Sequence, residues 1–142
     1  MNRTAALFSA GLLGIALCGT VWGADPKTNL TDHSTDLLID GETAKQVMGE
    51  NIPAKVWTLY PASKYTFVSQ VEGGMKGTTC VVSARVMLLP LTPTMKAILF
   101  RPQKTATAFD SIANSSTDAC KTLAKDKLKE ATTAVVSALV KA

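Results

Sequence analysis

The sequence predicts an α+β domain: a three-stranded antiparallel β-meander packed against a long C-terminal helix, with one or two short helices before the meander. Three observations carry that expectation. Residues 64–72 and 78–89 are β-branched and aromatic runs joined by a glycine-rich stretch, residues 117–141 hold an apolar stripe at helical spacing, and Cys80 and Cys120 fall one in each of the last two segments. A cysteine bridge between them would fasten helix to sheet.

The scale fits one such domain. The chain has 142 residues, 46% apolar and 18% charged, enough for a packed core, which excludes both a multidomain enzyme and a disordered polymer. The N-terminus reads differently from the rest. Arg3 is its one charge, residues 5–17 (AALFSAGLLGIAL) are apolar, and Val21 and Gly23 stand at −3 and −1 of a cut before Ala24. This is the pattern of a secretory signal peptide over residues 1–23. Two alternatives stay open: residues 4–24 are uncharged over a length that could serve as an anchor, diluted by glycines, and Ile15-Ala16-Leu17-Cys18 resembles a lipobox. A lipobox would make Cys18 an acylated membrane tether, although Leu17 occupies a place where a small residue is usual. With the signal cut, no stable membrane span remains, and the chain is expected in the periplasm or secreted.

Residues 24–35 (ADPKTNLTDHST) are polar and lack an apolar period, so they read as a flexible arm before a single domain over 36–142. Asp40 is placed to cap a short helix over 41–49 that turns Ala44, Val47 and Met48 inward. Pro53 opens a second short helix with Val56, Leu59 and Tyr60 on one face, a strand with Trp57 and Leu59 on one side being the alternative. Residues 64–72 form the first meander strand, Gly73 to Gly77 the turn, and 78–89 the second strand. Pro90 and Pro93 then break the chain. Residues 94–101 (TMKAILFR) supply the third strand, ended by Pro102. Residues 103–107 are a polar link, residues 108–113 a short helix with Phe109 and Ile112 at helical spacing, and Ser116 or Thr117 caps the last helix. Its stripe runs Cys120, Leu123, Ala124, Leu128, Ala131, Val135, Ala138 and Leu139, widened by Val136 and Val140. The second flank is expected to lie against the short helices near Val47 and Val56.

With Cys18 removed, Cys80 and Cys120 are the only cysteines left to an exported chain, so they are expected to pair. The spacing is wrong for a C-x-x-C redox site. Closing a loop of that length stabilises by about 3 to 4 kcal/mol in the chain-entropy account.

Charge is uneven. Residues 25–50 carry six acids against two lysines, and residues 51–142 carry twelve bases against five acids. The basic part would suit a protein or anionic component of the cell envelope, or simply pack beside the acidic front. In the second strand Cys80, Val82, Ala84, Val86 and Leu88 fall on one face, while Val81, Met87 and Leu89 leave the other face half apolar around Arg85. A partner on that face would use Arg85, Met87 and, from a neighbouring strand, Arg101, with Lys121, Lys125 and Lys129 of the last helix as further candidates. Arg85 and Arg101 could share a side with Tyr65 or Phe67, but an exported chain with 6% aromatic residues argues against nucleic acid.

Catalytic chemistry finds little footing. His33 is the single histidine, so no two-histidine zinc site can form, and no Walker, dinucleotide or G-x-S-x-G motif occurs. Asp32, His33 and Asp36 are the best-spaced metal ligands, set in a stretch without a rigid frame. No catalytic residue, metal site or cofactor is therefore assigned. The leading expectation is a small exported, disulfide-stapled binding protein of the envelope: an accessory, an inhibitor or an immunity-type protein. The alternatives are a small hydrolase or metal-dependent enzyme centred on His33 with Asp32 or Asp36, and a membrane-tethered lipoprotein through Cys18.

Overall fold

The computed structural model describes residues 27–94, 96–98 and 101–141. The expected signal peptide, Cys18 and residues 24–26 of the arm lie outside them. Seven elements follow in order: β1 (Leu30–Asp32), α1 (Gly41–Asn51), α2 (Ala54–Leu59), β2 (Tyr65–Lys76), β3 (Thr79–Pro90), β4 (Lys104–Ile112) and α3 (Thr117–Val140). The strands form one sheet in the order β1-β2-β3-β4. β2, β3 and β4 are antiparallel neighbours, and β1 runs parallel to β2. The α+β class stands, but the sheet has four strands and is mixed where three antiparallel strands were expected.

The core lies between the helices and one face of the sheet. Phe67 and Val71 of β2, Cys80, Val82, Ala84, Val86 and Leu88 of β3, and Ala108 of β4 meet Leu123, Ala124, Leu128, Ala131 and Val135 of α3. α3 lies along β3 and β4, and α1 fills the space between α3 and β1. Ala44, Met48 and Val56 are wholly buried there, Val136 is buried and Val140 half-buried, so the wide flank of α3 is met within the chain. In α2 the inward residue is Val56 and Leu59 is exposed, because a helix this short turns only one residue to the core. Trp57 then packs edge-on against Phe67 with ring centroids 5.3 Å apart.

Caps follow the sequence. Asp40 Oδ1 accepts from Thr43 N–H at 2.9 Å, and Ser116 Oγ accepts from Ala119 N–H at 3.1 Å, each satisfying a donor that the first helical turn leaves free. The bond from Thr43 holds the Asp40 carboxyl below its ordinary pKa. Cys80 and Cys120 form the disulfide, with Cα atoms 5.5 Å apart, and it ties the first turn of α3 to the start of β3.

Four local expectations are corrected. The glycine stretch is strand for most of its length: β2 continues through Gly73 and Gly74 to Lys76, and the turn is Gly77-Thr78. Gly77 takes φ 62°, and a side chain on Gly73 (φ 128°) would meet the Val81 carbonyl oxygen. Residues 94–101 are not the third strand. Among their described members only Ala97 pairs, in a single bridge to Leu91, because Thr92 turns the chain back through bonds to Lys96. The third antiparallel strand is β4, which takes in the expected polar link and the helix over 108–113. Neighbouring β3 supplies a full ladder of partners from Cys80 to Leu88, and that pairing overrides the helical spacing of Phe109 and Ile112.

The fourth correction concerns the arm. Its described part is ordered beside β2: Phe67 N–H donates to Asn29 O at 3.0 Å, His33 N–H to Ser69 O at 2.9 Å and Thr35 N–H to Val71 O at 3.3 Å. Side chains complete the seam. Asp32 Oδ1 accepts from the hydroxyls of Ser34 (2.6 Å) and the fully buried Ser69 (2.5 Å), and Ser34 Oγ accepts from Val71 N–H at 2.9 Å. Polar bonds hold this strand, which is why an apolar period never marked it.

Candidate functional site

Alternation along a strand sends successive side chains to opposite faces, and all three helices cover one face only. The core takes from β2 and β3 only the set that contains Phe67, Val82 and Leu88. The reverse face therefore carries Thr66, Val68, Gln70 and Glu72 of β2, Val81, Ser83, Arg85, Met87 and Leu89 of β3, and Thr105, Thr107 and Phe109 of β4. The register fixes its rows: Val68 beside Met87 beside Thr105, Gln70 beside Arg85 beside Thr107, and Glu72 beside Ser83 beside Phe109. Thr66, Val68 and Leu89 are buried at one end, so Leu89 adds nothing to an exposed apolar surface, while Phe109 is 65% exposed at the other.

This face is an open platform with shallow relief. A depression of about 210 Å³ is lined by His33, Val68, Gln70 and Met87, and a smaller one of about 70 Å³ by Gln70, Glu72, Ser83 and Arg85. Glu72 accepts from Gln70 Nε2 at 2.5 Å. Arg85 has no ion pair among the described residues, so its guanidinium is free for an incoming carboxylate. An unpaired arginine between a methionine and an exposed phenylalanine has the composition that dominates protein interfaces.

The sequence candidates divide among three places. Arg85 and Met87 are neighbours on the open face. Arg101 is exposed in the β3–β4 connection and belongs to no strand, and Tyr65 and Phe67 point to the core side, so the expected cluster of two arginines and an aromatic does not form. Lys121, Lys125 and Lys129 stand exposed on α3, in the helical layer on the other side of the sheet. Lys121 and Lys125 line a groove of about 160 Å³ with Asp36, Asp40 and Thr43. The acidic front and the basic helix thus meet there within one chain.

Asp32, His33 and Asp36 are not brought together. Asp32 faces the helices and is bonded to Ser34 and Ser69, His33 lines the open face, and Asp36 lies in the groove beside α3. Among the described residues no group of three histidine, cysteine, aspartate or glutamate side chains could hold a metal ion. No helix among them is long and apolar enough to cross a membrane.

Two residues of the platform escaped the sequence. The spacing of Phe109 and Ile112 reads as helical, although the alternation Thr105-Ala106-Thr107-Ala108 just before Phe109 is a strand signal with small residues inward. His33 joins the platform only because β1 lies beside β2.

No family model matches the chain, and no curated protein matches it. Among solved structures it is similar to a dodecameric PelC variant from Paraburkholderia phytofirmans, at 11% identity over 78% of this chain and 88% of that one, with a TM-score of 0.46. A candidate lipoprotein from Caulobacter crescentus CB15 is similar at 9% identity over 78% and 86% of the two chains, with a TM-score of 0.36. Likeness at this level says nothing of function; the described residues themselves form a four-stranded mixed sheet with helices on one face and a disulfide between sheet and helix.

Proposed function

We propose that the chain is a non-catalytic binding protein of the cell envelope, which takes a protein partner on the open face of its sheet through Arg85, Met87 and Phe109. One observation carries the reading: the face opposite the helices has no cover from them and exposes an apolar and cationic set at fixed spacing. The partner surface that suits it is apolar with an acidic residue opposite Arg85. Export is supported by the signal-like N-terminus and by a disulfide that persists only under oxidising conditions.

The test is affinity capture from an envelope extract with the disulfide-intact protein, read by mass spectrometry and run in parallel with Arg85→Glu and Lys121→Glu. A stoichiometric protein retained by the parent and by Lys121→Glu, and lost from Arg85→Glu, is the expected result. Retention by Arg85→Glu overturns the assignment of the face. An intact mass starting at Ala24 supports export with cleavage, whereas an acylated Cys18 replaces it with the tethered form.

A further inference from the structure

The two edges of the sheet are built differently. β1 is three residues long, is tied down by Asp32 and Ser34, and has α1 beside it. β4 is nine residues long, contains no proline, and carries its single lysine at its first position. Among the described residues no backbone hydrogen bond joins β4 to any element except β3. A long, bare edge with an exposed phenylalanine at 65% and an exposed isoleucine at 41% is a template for another strand.

We propose that a second copy of this chain occupies that edge, β4 pairing antiparallel with β4 about a two-fold axis through Thr107. Symmetry restricts the axis to a residue, and the match of Lys104 with Asp110 selects Thr107. In a symmetric antiparallel pair, residues that face each other must have the same parity, so that both their outward hydrogen-bonding groups and their sheet faces agree, and the axis must pass through a residue. Centring on Thr107 then places Lys104 of each copy opposite Asp110 of the other. Both lie on the helix side of the sheet, and the pairing makes two cross-strand ion pairs. Thr105 faces Phe109 on the open side, a β-branched and aromatic pair. Asp110 already receives Lys127 of α3 at 3.4 Å and remains half exposed, so its carboxylate is fixed in place with room for a second cation. The dimer carries a continuous eight-stranded sheet with both open faces on one side. This assembly does not depend on the partner proposed for the open face.

Sedimentation equilibrium on the full exported chain, together with single thiols on β4, tests it. Thr107→Cys sits on the axis and should oxidise to a covalent dimer. Ser111→Cys, equally exposed on the same strand, should not, because the two copies of residue 111 lie about 27 Å apart in this register. Lys104→Glu should weaken the dimer roughly tenfold, and Thr107→Pro should leave a folded monomer by circular dichroism. A parent chain that stays monomeric at every concentration overturns the proposal. So does a dimer that cross-links through Ser111→Cys and not through Thr107→Cys, since that outcome requires another register.

Discussion

One sheet has two faces with opposite construction. The covered face is closed by Phe67, Val82, Val86 and Leu88, each with no exposed surface, and is bolted by the disulfide at Cys80. The open face has the same strands and the same backbone, yet carries Arg85, half-exposed Met87 and mostly exposed Phe109. The helix-packed core is thus concentrated on one side of the sheet, while on the other Thr66, Val68 and Leu89 are buried and the rows from Arg85 to Phe109 stay open to solvent.

Substitutions break or sharpen that contrast. Phe67→Ala empties a site wholly buried on the covered face and should cost about 3 to 5 kcal/mol in chemical denaturation. Cys120→Ser should cost about 3 to 4 kcal/mol, and an unchanged melting temperature would show that the bridge is idle. Asp32→Ala leaves the buried Ser69 hydroxyl without its acceptor and should cost about 1 to 3 kcal/mol, with loss of amide protection at His33 and Thr35 in hydrogen exchange. Ser116→Ala removes the cap of α3 and should cost about 1 kcal/mol. Arg85→Ala, on the open face, should shift stability by less than about 0.5 kcal/mol while removing partner capture. A large loss of stability there would mean that Arg85 is a structural residue and would erase the contrast between the faces.

The parts of this fold that were legible in the sequence are those held by local or strongly periodic signals. Asp40 caps α1 as expected, Ser116 rather than its alternative Thr117 caps α3, the 24-residue α3 buries its stripe, and Cys80 and Cys120 are bonded. The long hairpin is also legible, but β2 runs four residues past the expected strand end at 72, to Lys76, because Gly73 and Gly74 look like turn residues and serve as strand residues. Both outer strands were missed, for different reasons. β1 is three residues of polar sequence, and its stability comes from hydroxyl and carboxylate bonds to β2 made 37 positions away. β4 carries apolar residues at a spacing compatible with a helix, and only the edge of β3 decides between the two. The proposed face is legible in part: alternation along one strand puts Arg85 and Met87 on the same side, the helical spacing of Phe109 hides its place there, and the strand expected to carry Arg101 does not form.

The sequence by itself determined the composition of a core, the caps, the bridge and the axis of the last helix, because each depends on residues close in the chain or on the pairing of two cysteines. Tertiary structure alone decided which polar segment became a strand, which side of the sheet the helices left bare, and which charged residues share a surface. Those outcomes depend on long-range backbone pairing. Any strand offers its hydrogen-bonding groups to whatever lies alongside, and only the assembled sheet shows what does.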